Sequence, residues 1–89
     1  MFVRRVVGSS MAPTLRAGQL IVLKRRPKNL KVGDIVFFNH KGLEKIKRIQ
    51  SINGSNITVR GDNLAESTDS RHFGEISEEM VMGKLAIAF

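Results

Sequence analysis

The sequence predicts an all-β chain: a small, partly open, coiled β-barrel-like fold with at most one or two short helices. Three observations carry that expectation. Turn signals recur at short intervals, from Gly8-Ser9-Ser10 through Gly33-Asp34 and Lys41-Gly42 to Gly61-Asp62-Asn63 and Gly74. Between them lie short runs rich in Val, Ile and Phe, the signature of short strands. The length, 89 residues, fits a single domain over residues 1–89, and 42% hydrophobic with 26% charged residues suits a folded globule.

The elements follow in order. Strands are expected over Phe2–Val7, Gln19–Lys24, Asp34–Asn39, Leu43–Ser51, Asn56–Arg60 and Met82–Ala88. A short helix is expected over Met11–Ala17, around Pro13, and another over Ser77–Met82 with Ser77 as its cap. Asn53-Gly54 is the sharpest hairpin signal, because a type I′ turn needs positive φ at both central residues. Ile46 and Ile49 cannot share one face of a regular strand, so a bulge is expected near Lys47.

Composition excludes several chemistries. With no cysteine there is no disulfide, thiolate metal site or cysteine nucleophile. His40 and His72 are the only imidazoles, too few for a multi-histidine metal cage. No metal or cofactor is expected. Charge is uneven: twelve of the fifteen Lys and Arg, but two of the eight Asp and Glu, fall in residues 1–48. A basic half suits an anionic membrane surface, a nucleic acid or an acidic partner. No run approaches the roughly 18–20 apolar residues of a membrane span, and Met1–Arg5 is followed by no apolar signal region. The chain therefore reads as soluble and cytoplasmic, with a membrane-peripheral place as the alternative.

Covalent catalysis is left to Ser, Thr, Lys or a carboxylate. Ser10 stands in Gly8-Ser9-Ser10-Met11-Ala12-Pro13-Thr14-Leu15, where Gly8 and Pro13 shape a sharp bend. Such a bend can expose backbone N–H groups, as an oxyanion hole requires. Neither histidine suits the base: His40 sits in a turn and His72 in a charged loop. Lys47, between Ile46 and Arg48-Ile49, is the lysine best placed to be desolvated, and a buried lysine can lose its proton near neutral pH. The polar loop Gly61–Gly74 is long for so small a chain, and such loops are often functional. Asp69 and Arg71 can pair across it, and its ligand spacing is wrong for a calcium-binding EF-hand.

These segments together resemble the signal peptidase I family of serine proteases. The family's Ser-Met-x-Pro-Thr-Leu box is matched by Ser10–Leu15, its Gly-Asp-Ile-Val box by Gly33–Val36, and its Lys-Arg-hydrophobic box by Lys47–Ile49. Its last box is matched by Gly61-Asp62-Asn63 with Ser67-x-Asp69-Ser70-Arg71 and Gly74. The resemblance implies Ser10 as nucleophile, Lys47 as general base, Ser67 as the hydroxyl orienting the lysine amine, and Asp69 with Arg71 as a supporting ion pair. It implies an oxyanion hole built on the Ser10 N–H. Where some members carry a second donor, a serine two positions earlier, this chain has Gly8, and Ser9 stands at a different offset. Met11 and Pro13 fall at substrate-side positions. Typical members have membrane spans before the serine and an extra β-domain before the last box; here nine residues stand before Ser10, and thirteen separate Lys47 from Gly61. The length and the Gly-Asp-Asn loop are most similar to the small nickel-type superoxide dismutase maturation proteases.

The expected function is therefore a serine endopeptidase with a Ser/Lys dyad that removes an N-terminal leader from a precursor bound in extended form. A nickel superoxide dismutase precursor is one such substrate. One rival is a membrane-associated signal peptidase whose anchor lies outside these residues. The rival from another class is a small basic β-barrel that binds nucleic acid. The absence of Tyr and Trp is poor for base stacking, so no nucleic-acid partner is expected.

Overall fold

Four consecutive residues, Ile35, Val36, Phe37 and Phe38, are all buried, so a strand there needs cover on both faces. The computed structural model describes all 89 residues, Met1–Phe89, and shows what provides that cover. Seven strands form: β1 Phe2–Arg5, β2 Leu20–Arg25, β3 Ile35–His40, β4 Leu43–Asn53, β5 Asn56–Arg60, β6 Ile76–Ser77 and β7 Val81–Ala88. They make one antiparallel sheet in the order β1-β2-β7-β3-β4-β5-β6, open at β1 and β6. Side chains alternate along β3. Ile35 and Phe37 join Val6, Met11, Leu15, Ile21 and Leu23 in one cluster. Val36 and Phe38 join Ile49, Ile57, Val59, Ile76 and Val81 in another. Burying one such side chain contributes about 1.5–3 kcal/mol, so these two clusters are the main stabilising term.

The predicted strands are all present, with ends moved by one or two residues. Ile46 packs on the first cluster and Ile49 belongs to the second, which regular alternation does not allow for residues on one face. They lie on opposite faces, so no bulge is needed at Lys47. The irregularity in β4 comes later, between Ile49 and Ser51 against β5. The β4–β5 hairpin also differs in its turn. Asn53 pairs with Asn56, so the central residues are Gly54-Ser55, and only Gly54 has positive φ. That is the arrangement of a type II′ turn. The type I′ pattern occurs instead at Lys41-Gly42, where both φ values are positive, between β3 and β4.

Two helix expectations change. Met11–Ala17 is a set of turns rather than a helix. Its one helical bond is Leu15 N–H to the Met11 carbonyl, 2.9 Å. The next donors that a helix would use go elsewhere, Arg16 N–H to Gln19 Oε1 at 2.9 Å and Gly18 N–H to the Val6 carbonyl at 2.8 Å. Ser77–Met82 contracts to a 3₁₀ turn, Glu78–Met80, capped by Ser77. The loop before it holds another 3₁₀ turn, Leu64–Glu66, and a one-turn helix α1, Ser70–Phe73, neither expected from the sequence. No helix is long and apolar enough to cross a membrane.

Candidate active site

Ser10 lies in the turn between β1 and β2. Gly8 has φ +77°, a backbone conformation that disfavours side chains, and this starts the reversal. Ala12 N–H then bonds the Ser9 carbonyl at 3.1 Å. Met11 and Leu15, at 2% and 1% exposure, anchor the turn in the first apolar cluster. The Ser10 backbone N–H has no acceptor within the chain.

The segment Gly61–Asn63 after β5 holds the same turn from the other side. Asn63 N–H donates to the Ser10 carbonyl at 2.9 Å, and Asn63 Nδ2 to the Ser9 carbonyl at 3.1 Å. Thr14 Oγ1 donates to Asp62 Oδ2 at 2.6 Å. Arg48 grips Asp62 with two bonds of 2.8 Å and reaches the Gly33 carbonyl at 2.7 Å. The Arg48 hydrogen bonds hold the Asp62 carboxyl below the usual carboxylate range, against the opposing effect of its partial burial.

β4 carries Lys47 toward Ser10. In the register with β3, Lys47 is opposite Val36. Lys47 is 5% exposed, and its Nζ donates to Ser10 Oγ at 2.7 Å, its one hydrogen bond. Desolvation pushes the lysine pKa down, and the Lys45 charge adds to this; Asp69 opposes them. A lysine so placed is brought closer to the neutral form that can accept a proton.

Beneath the pair lies Asp69, with no solvent exposure. It accepts from Ser67 Oγ at 2.7 Å, Gly61 N–H at 3.0 Å, Arg71 Nε at 2.9 Å and Arg71 N–H at 3.2 Å. Burial alone would raise its pKa; bonds from Arg71, Ser67 and Gly61 outweigh that and hold the carboxyl far below its ordinary value. Asp69 also caps α1, whose Ser70 Oγ accepts from Val59 N–H at 2.8 Å, docking the loop on β5. Gly61 is required by space. A Cβ there would meet Ser67 Cβ at 2.5 Å, the Ser10 carbonyl at 2.6 Å, and Ser67 Oγ closer still.

The structure brings Ser10 and Lys47 together, and Ser67, Asp69 and Arg71 together. Ser67 makes no hydrogen bond to Lys47. Its single proton goes to the Asp69 carboxylate, a stronger acceptor than an amine, so it acts through Asp69 and Gly61. Met11 is a core residue whose sulfur accepts from Asp62 N–H at 3.4 Å, although it also lines the cavity beside Ser10. Pro13 lies away from that cavity, in a shallow groove with Thr14, Arg16 and Phe89. Ser9 is exposed, and its carbonyl rather than its hydroxyl is used. His72 helps cap α1, and His40 stacks on Phe73 at 4.4 Å; neither bonds Ser10. Arg48, Thr14, Asp62 and Asn63 were assigned no role from the sequence. Their signal was their place inside the matched boxes.

A buried lysine touching a turn serine, with no histidine bonded to either, is an arrangement suited to acyl transfer. No curated protein matches the chain. The Peptidase S24-like family matches residues 1–86, which include every residue of this site, and the chain belongs to that family of serine peptidases.

Proposed function

We propose that the protein is a serine endopeptidase in which Ser10 is the nucleophile and Lys47 the general base. The observation that carries this reading is the 2.7 Å contact between Lys47 Nζ and Ser10 Oγ, with the lysine 5% exposed. Neutral Lys47 takes the Ser10 hydroxyl proton as Oγ attacks the scissile carbonyl. The oxyanion that forms meets the free Ser10 N–H, whose direction the bonds from Asn63 hold. Lys47 then returns the proton to the leaving amine. Water enters, Lys47 takes its proton in turn, and hydrolysis of the acyl-enzyme releases the carboxylate product and restores Ser10.

The substrate binds extended. A cavity of about 210 Å³ beside Ser10 is lined by Arg4–Val7 and Glu44–Lys47. β1 is an edge strand, and β5 pairs with β4 only from Arg48 onward, so two unpaired strand edges flank the cavity. A peptide strand can bond to either edge. The similarity of the Gly-Asp-Asn loop to maturation proteases supports a precursor leader as the substrate, with nickel superoxide dismutase as the specific candidate and the cytoplasm as the compartment. The test is to mix the protein with that precursor and read the new N-terminus by mass spectrometry. Ser10→Ala is expected to give a folded protein with no cleavage; undiminished cleavage by that variant sinks the proposal.

A further inference from the structure

We infer that the cleft beside Ser10 selects an extended peptide carrying an acidic side chain close to the scissile bond, through Arg4 and Lys45. This rests on the peptidase reading for its location but makes a separate claim about recognition. The cavity floor includes Phe37, Met11 and Ile46, and its rim is charged. Glu44 is the one acidic residue lining it, against Arg4 and Lys45 among the cations. Glu44 neutralises Arg4 only weakly: their side chains are 41% and 47% exposed and 3.5 Å apart.

Arg4 does not depend on Glu44 for its position. Its guanidinium lies 5.1 Å from the Phe2 ring and 5.4 Å from the Phe37 ring, so two aromatic faces hold it over the cavity. Lys45 precedes Lys47 by two residues along β4, on the same side of the strand; its Nζ lies 5.7 Å from the Phe73 ring, so it borders the cleft from the side of the second cluster and acts there through its charge. Its charge is felt at Lys47. The cleft thus pairs an apolar floor with a cationic rim. A glutamate side chain matches both, its methylene stem on Phe37, Met11 and Ile46 and its carboxylate at the rim. It competes with Glu44 for Arg4. A lysine side chain would find one carboxylate there and several like charges.

The experiment uses alanine hexapeptides, capped at both ends, with Glu, Gln or Lys moved through the six positions. Binding is measured on the full chain carrying Ser10→Ala, so that no peptide is consumed. The best Glu peptide is expected to bind about tenfold more tightly than its Gln counterpart at low salt, equal to about 1.4 kcal/mol. The ratio should shrink toward unity at about 1 M salt, where screening acts within roughly 3 Å. Arg4→Gln and Lys45→Gln should each lower the Glu/Gln ratio about threefold, and Glu44→Gln should raise it. Equal binding of Glu and Gln peptides, tighter binding of Lys peptides, or no binding of the Glu series overturns the inference. The same peptides given to the Ser10 protein separate the two claims. Glu-selective binding without cleavage would sustain the inference and overturn the peptidase reading. Cleavage indifferent to Glu would do the reverse.

Discussion

In the proposed mechanism Lys47 is a base inside the molecule, and its expected chemistry follows from that burial. Because its pKa is pushed down, activity should rise with pH through a transition below the free lysine value of about 10.4. Lys47→Met keeps the packing and removes the base, so a folded, inactive protein is expected. Lys47→Arg should also be inactive, since a guanidinium keeps its proton at any usable pH. The pH dependence of kcat/KM for the three proteins decides this; an active arginine variant would show that lysine is not the base. Asp69 is the other decisive single residue. Asp69→Ala strands the Gly61 N–H and the Ser67 hydroxyl, each a loss of about 1–3 kcal/mol when left buried without a partner. A fall in Tm of roughly 10 °C or more is expected, with reduced kcat. An unchanged Tm with full activity would show that the network contributes nothing.

Among the elements, the short segment from Gly61 to Asn63 has the most influence on the serine. It joins the end of β5 to the Ser10 turn through Asn63, and to β4 through Asp62 and Arg48. The serine and lysine come from segments 37 residues apart, so their 2.7 Å contact depends on such cross-ties. Gly61→Ala tests this. The added methyl has to displace Ser67 or the Ser10 carbonyl. Overpacking of this kind costs about 1–3 kcal/mol, and a shift of about 1 Å at a reacting group can cost ~100-fold in rate. The expectation is a kcat loss far larger than the loss of stability predicts, measured by kinetics and thermal melts on the same sample. Normal kcat would mean that the segment does not set the serine's position.

For the whole molecule, the shifted groups predict how stability follows pH. Asp69 and Asp62 both have carboxyls held below their ordinary range. Their contribution is complete above the unfolded carboxylate value of about 3.9 and is lost as pH falls through the lower folded values, so unfolding should set in only under strong acid. Lys47 acts at the other end. The unfolded chain holds the lysine proton to higher pH than the folded one, so stability rises with pH between the folded value and about 10.4. The chain has no tyrosine, so no phenol titration overlaps that window. A series of Tm values against pH should show this alkaline rise in the parent and not in Lys47→Met. A parent curve without it would mean that Lys47 is not desolvated.

Alternation of apolar residues and turn signals were enough to read six of the strands, because both are local properties of the chain. Ser10 and Lys47 were legible too: a serine between Gly8 and Pro13 and a lysine among isoleucines are local patterns that the resemblance sharpened. The exact turn of the β4–β5 hairpin was not, because the register Asn53 to Asn56 is set by where Ile49, Ile57 and Val59 pack rather than by the Asn-Gly pair. The helix expected at Met11–Ala17 gave way to bonds with residues outside it, Arg16 N–H going to the Gln19 side chain and Gly18 N–H to the Val6 carbonyl. What only the tertiary structure decided is the partnership of side chains far apart in the chain. Arg48 could have gripped any carboxylate, and Ser67 could have faced Lys47. Packing brought Asp62 to the arginine and Asp69 to the serine, and a hydrogen bond acts only over about 3 Å, a distance that one-dimensional spacing does not encode.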